Sequence, residues 1–130
     1  MLSKVAENYL RIIYETIENR GHARPRDLAR SLNVSAPSVT EMLQKLADRK
    51  LIHYEKRGSI RLTKEGRKKA LAIKARYQIF IKLFKMAGVS SKTAYMDATA
   101  IEDNLSEETV SKLLDFVKRL EKTQLCKKIA

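Results

Sequence analysis

The 130-residue sequence predicts a mainly α chain, with three short helices and a two-stranded hairpin at the front and an all-helical region behind. Three observations predict it. Apolar residues recur every three to four positions through most of the chain, as in helices with one buried face. One alternating stretch around Gly58 breaks that rhythm. The charge is also lopsided: residues 1–82 hold 19 Lys and Arg against 8 Asp and Glu, whereas residues 83–130 hold 8 against 7.

The elements follow in order. Ser3 is placed to cap a first helix carrying Val5, Leu10, Ile13, Tyr14 and Ile17, which fades near Arg20-Gly21. Pro25, tolerated in a first turn, opens a short second helix with Leu28 and Leu32 inward and Arg26 and Arg30 outward. Asn33-Val34 interrupts, and Ser35 caps a third helix in which Val39, Met42, Leu43 and Leu46 form one apolar face up to about Arg49. Two short helices joined by a tight turn make a helix-turn-helix. The segment from Leu51 to Thr63, turning at Gly58, reads as a β-hairpin, and a hairpin in that position is a wing.

Thr63 caps a long helix from Lys64 to about Met86, ended by Ala87-Gly88. Its second half (Ile73, Tyr77, Ile79, Phe80, Ile81, Leu83, Phe84) is apolar on too many sides for one core contact, so part of it is expected against a second subunit. A shorter helix spans about Ser91 to Asp103, and a last one runs from a Ser106 cap to about Lys122. The domain reading is 1–70 as a winged helix-turn-helix domain, 71–122 as a helical dimerisation domain, and 123–130 as a basic tail.

The formal charge of +12, concentrated at the front, suits a module that meets a polyanion. No apolar run approaches the roughly 18 residues of a membrane span, and Met1 to Glu7 lacks an apolar signal core, so a cytoplasmic protein is expected. Cys126 stands alone, which excludes an internal disulfide and a thiolate zinc cage. Catalysis finds no foothold. His22 and His53 lie away from any acidic pair or nucleophile motif, His53 reading as a half-buried strand residue rather than a ligand. The four glycines are scattered singly, so no phosphate loop and no small-molecule substrate site is evident.

A helix-turn-helix puts the N-terminal end of its second helix into the major groove, where base edges differ in donors and acceptors. The base-reading candidates are therefore Ser35, Pro37, Ser38, Thr40 and Glu41, with Glu41 suited to a cytosine amino group. Arg24, Arg26, Arg30, Lys45, Arg57, Arg61 and Lys64 are the phosphate candidates, giving affinity and salt sensitivity but no sequence choice.

The segments Asn8–Tyr14, Gly21–Ala29, Val34–Thr40, Gln44–Leu46 and Leu62–Gly66, followed by Ala100–Ser106, together resemble the diphtheria-toxin-repressor and manganese-transport-regulator family over residues 3 to about 121. The likeness is to its short two-domain members. It implies a homodimeric repressor on palindromic operators, activated by Mn(II) or Fe(II), with the rear helices forming the dimer interface. At the family's metal positions this chain carries Asn8, Arg11, Tyr77, Thr99, Glu102 and Asp103. Only Glu102 matches, Asp103 is a plausible substitute, and imidazole is lost. Since Mn(II) and Fe(II) favour carboxylates and imidazoles, and Arg11 would repel an ion, no metal or other cofactor is expected at these positions. Arg11 forked onto Glu102 or Asp103 would replace the ion by an ion pair.

The expectation is thus a sequence-specific regulator, a repressor acting as a homodimer on duplex DNA without metal. The alternatives are a Mn/Fe-responsive repressor with a substitute ligand set, and an RNA-binding or protein-interaction winged-helix scaffold. An enzyme is not expected.

Overall fold

The computed structural model describes residues 2–55, 58–102 and 104–123, and of Glu102 the backbone only. The order is α1 (Lys4–Arg20), α2 (Pro25–Leu32), α3 (Ala36–Asp48), β1 (Ile52–Tyr54), β2 (Ile60–Leu62), α4 (Lys64–Met86), α5 (Ser91–Glu102) and α6 (Glu107–Glu121). The chain divides into two compact units, residues 1–73 and 74–130, with the division inside α4.

Helix boundaries in the front unit follow from local chemistry. The Ser3 side chain accepts from Ala6 N at 3.1 Å, and α1 stops where Gly21 turns left-handed at φ 83°. Asp27 caps α2 from inside: its buried carboxylate accepts from Arg24 N at 2.9 Å and from the Arg20 guanidinium at 3.2 Å. Asn33 ends α2 in the left-handed region, which a short polar side chain tolerates. Ser35 accepts from Ser38 N to start α3. Leu10, Ile13, Leu28, Val39, Leu43, Leu46 and Ile60 are fully buried and make the core that α1, α2, α3 and the hairpin share.

β1 and β2 pair antiparallel with Ile52 opposite Leu62, His53 opposite Arg61 and Tyr54 opposite Ile60. The inward residues Ile52 and Ile60 are buried, and His53 and Arg61 stand exposed on the outer face. His53 is therefore not the half-buried residue that strand membership alone implied, because it falls on the solvent side of the pleat. Gly58 N donates to Glu55 O at 2.8 Å and closes the turn. Ala23, between α1 and α2, forms an isolated bridge with Ile60 and accepts from its N–H at 2.8 Å.

The junction of α3, the wing and α4 is tight. Lys50 leaves α3 at φ 61°, and Leu51 N donates back to Leu46 O at 3.0 Å. The Thr63 hydroxyl lies 2.8 Å from Lys50 O and 3.0 Å from Leu51 O and accepts from Gly66 N at 3.0 Å. Gly66 has no room for a side chain, since a Cβ there would sit 1.8 Å from Leu51 O. Arg67 in the next turn lies over the Tyr14 ring, 5.8 Å from its centroid.

In the rear unit Phe80, Ala98 and Val110 form the buried centre, with Ile81, Phe84, Leu105, Leu113 and Leu114 packed around it. Ser106 caps α6 by accepting from Thr109 N, and Glu107 and Glu108 in the first turn complement the helix dipole. Tyr95, Met96, Ile101 and Phe116 remain exposed on this unit, Met96 at 59%. Among the described residues, no helix is long and apolar enough to cross a membrane.

Candidate nucleic-acid interface

α3 has two opposed stripes. Val39, Leu43 and Leu46 (i, i+4, i+7) are buried, while Pro37, Glu41, Gln44 and Asp48 run at i, i+4, i+7 and i+11 along the exposed side. Burial of the first stripe against α1, α2 and β1 is what turns the second outward.

The five base-reading candidates are all exposed, but their hydrogen-bonding capacity differs. The Ser35 hydroxyl accepts from Ser38 N and donates to Ser38 Oγ at 2.9 Å, so its proton is spent on the cap. Thr40 donates to Ala36 O at 3.1 Å, a bond back into its own helix. Pro37 has no polar side chain. Ser38 keeps its hydroxyl proton. Glu41 projects a carboxylate that pairs with Lys45 at 3.6 Å, both side chains being mostly solvent-exposed (72% and 64%). An exposed pair of this kind is worth about 0.3–0.5 kcal/mol and is given up readily to a better partner.

Of the phosphate candidates, Arg24, Arg26, Arg30, Lys45, Arg61 and Lys64 are all exposed on the front unit. Arg24 is the residue before α2, Arg26 and Arg30 lie on α2, Arg61 lies on the wing, and Lys64 opens α4. Arg57 lies outside the described residues. The sequence reading took its base-reading candidates from the N-terminal end of α3, up to Glu41, and did not single out the exposed Gln44 and Asp48. The spacing from Pro37 was the signal that could have found them.

At the positions that the resemblance set against the family's metal ligands, Asn8 is part-buried, Arg11 and Tyr77 are buried, and the Thr99 hydroxyl donates to Met96 O at 2.9 Å. Arg11 Nη1 lies 3.2 Å from Glu15 Oε2, one turn along α1. Asp103 and the Glu102 side chain lie outside the described residues, and with them the expected fork from Arg11. Among the described residues, no group of three or more His, Cys, Asp or Glu is placed to hold a metal ion. The donors described here therefore do not fit Mn(II) by themselves.

The family model "Iron dependent repressor, N-terminal DNA binding domain" matches residues 1–60, and "Iron dependent repressor, metal binding and dimerisation domain" matches residues 63–130. The chain belongs to the iron-dependent repressor family. It is 36% identical over 111 residues (85% of this chain, 79% of the relative) to the HTH-type transcriptional regulator MntR of Geobacillus kaustophilus. It is 33% identical over 128 residues (98% of this chain, 90% of the relative) to the MntR of Bacillus subtilis. Among solved structures, one titled as a manganese-dependent transcriptional repressor in complex with manganese shares 25% identity at a TM-score of 0.73, covering 87% of this chain. The present chain spans about half (52%) of that solved chain. Membership makes the protein a DNA-binding transcriptional regulator, and the two matched domains are those with which this family binds DNA and dimerises.

The family also corrects one expectation. The absence of a cofactor, inferred from Asn8, Arg11, Tyr77 and Thr99, is overturned: the matched rear domain is a metal-binding one, and a manganese-bound repressor is among its structural neighbours. Metal independence falls with it. The inference judged six positions separately by donor type, whereas oxygen donors of several kinds (carboxylate, carbonyl, water) serve Mn(II) and need not come from the same positions.

Proposed function

We propose that the chain is a homodimeric repressor that binds a palindromic duplex operator through α3 and the wing and responds to Mn(II) or Fe(II). The observation that carries the DNA-binding part is the outward stripe of α3 on a unit that also exposes six cations, Arg24, Arg26, Arg30, Lys45, Arg61 and Lys64. Support for the metal response comes from the matched rear domain and the manganese-linked relatives. The α3 helices of the two protomers would enter successive major grooves about one helical turn of DNA, ~34 Å, apart.

The test is fluorescence anisotropy on duplexes recovered from genomic protection mapping, with Mn(II) and with chelator, at two salt concentrations. Tight binding that strengthens with Mn(II) and falls about 10³-fold or more between 50 and 200 mM salt is expected. Binding that ignores both metal and chelator would overturn the metal response. Equal affinity for every duplex would overturn the regulator.

A further inference from the structure

The outward stripe of α3 continues past the residues at its N-terminal end. Gln44 is exposed, one turn beyond Glu41, and its Nε2 donates to Asp48 Oδ1 at 3.0 Å. That bond uses one of the two amide hydrogens and fixes the plane of the side chain. Oε1 and the second Nε2 hydrogen remain, an acceptor and a donor side by side. This is the pair that an adenine edge requires, since adenine offers N6–H as donor and N7 as acceptor in the major groove. Glu41, by contrast, presents acceptors only and complements the N4 amino group of cytosine. Ser35 and Thr40 have spent their hydroxyl protons within the helix.

We infer that Gln44, held by Asp48, is a specificity residue that reads an adenine in each operator half-site, next to a cytosine read by Glu41. The inference rests on the proposed DNA-binding role of α3. Along the helix axis, Glu41 and Gln44 are separated by about 4.5 Å, three residues of rise. Stacked base pairs are separated by about 3.4 Å, so the two side chains reach neighbouring pairs. Lys45, released from Glu41, stands at the edge of the stripe and turns to a phosphate. Asp48 is a positioning residue: it touches Gln44 and no base.

Selection from duplexes randomised across the half-site, followed by affinity measurement on single-base variants, tests this. The parent chain should select an adenine beside a cytosine. Gln44→Ala should lose roughly ten- to a hundred-fold of discrimination at the adenine and leave the cytosine preference intact. Gln44→Glu, an acceptor-only side chain, should exchange the adenine preference for cytosine. Asp48→Ala should weaken adenine discrimination in part, with salt dependence unchanged. Both sites are exposed, and a circular dichroism melt verifies that each of the three variants folds. A parent-like selection profile in Gln44→Ala and Gln44→Glu overturns the assignment while leaving the regulator intact. A parent chain with no base preference sinks the regulator itself.

Discussion

Gly66→Ala is the substitution with the largest consequence for the smallest change. A methyl at this position would lie 1.8 Å from Leu51 O and 2.8 Å from Leu51 C, where ordinary contact begins near 3.4 Å. The clash is with backbone, so no rotamer relieves it. The first turn of α4 and the start of the wing must move apart by about 1.5 Å, which is overpacking of the kind that costs about 1–3 kcal/mol. That displacement also breaks the links from Thr63 to the Lys50 and Leu51 carbonyls, at 2.8 Å, 3.0 Å and (from Thr63 N) 3.1 Å. The hydroxyl shares its one proton between the two carbonyls, so the links count as two bonds of about 0.5–1.5 kcal/mol each. Against this, alanine improves intrinsic helix propensity by about 1 kcal/mol. The net loss is about 1–5 kcal/mol, a fall in Tm of roughly 4–20 °C at about 4 °C per kcal/mol. Thermal unfolding followed by circular dichroism measures it, with exposed Lys68→Ala as the reference, expected within about 0.5 kcal/mol of the parent. A Gly66→Ala midpoint within about 3 °C of the parent would refute the close approach of α4 to Leu51.

Four further outcomes are expected. Asp27→Ala strips the cap from Arg24 N and the partner from Arg20, and urea titration should register a loss of about 1–3 kcal/mol. Removing both Arg26 and Arg30 should weaken binding to all duplexes alike and lower the slope of log affinity against log salt by about 2, read by anisotropy across a salt series. Phe116→Asp, on the exposed apolar surface of the rear unit, should shift sedimentation velocity profiles toward monomer without lowering the helical signal. Burial raises the Tyr9 hydroxyl above its ordinary 10.0. The folded state thus favours the neutral phenol, its contribution is complete below pH 10, and stability should decline as alkaline titration passes that point.

Much of this architecture was legible in the residues. Ser3, Ser35, Thr63 and Ser106 each cap a helix where their position before an apolar period said they would. The helix-turn-helix showed itself because Leu28, Val39, Leu43 and Leu46 carry a strong 3.6-residue rhythm. What escaped were interactions without a local period. Ala23 pairing with Ile60 joins segments far apart in sequence, and nothing about an alanine announces it. Gly66 gave no turn signal because its reason is a neighbouring carbonyl, not its own backbone angle. In the candidate interface, the exposed residues of α3 could be named from the helix wheel. Which hydroxyls were already occupied could not, since that depends on rotamers: Ser35 and Thr40 turn back toward the helix. The metal expectation failed for a related reason. Donor chemistry at six positions does not count every oxygen that a folded domain can offer.

The Ala23–Ile60 bridge makes the reading helix part of a closed loop of chain. Because that closure joins distant residues, its entropy must be paid before the pairing returns any energy, so the hairpin is expected to form after the three helices have assembled. During synthesis, a chain emerging from the ribosome would carry α3 for some time without the sheet that braces its far end. Competence to recognise an operator would then arrive only once residue 60 and the opening of α4 had been released.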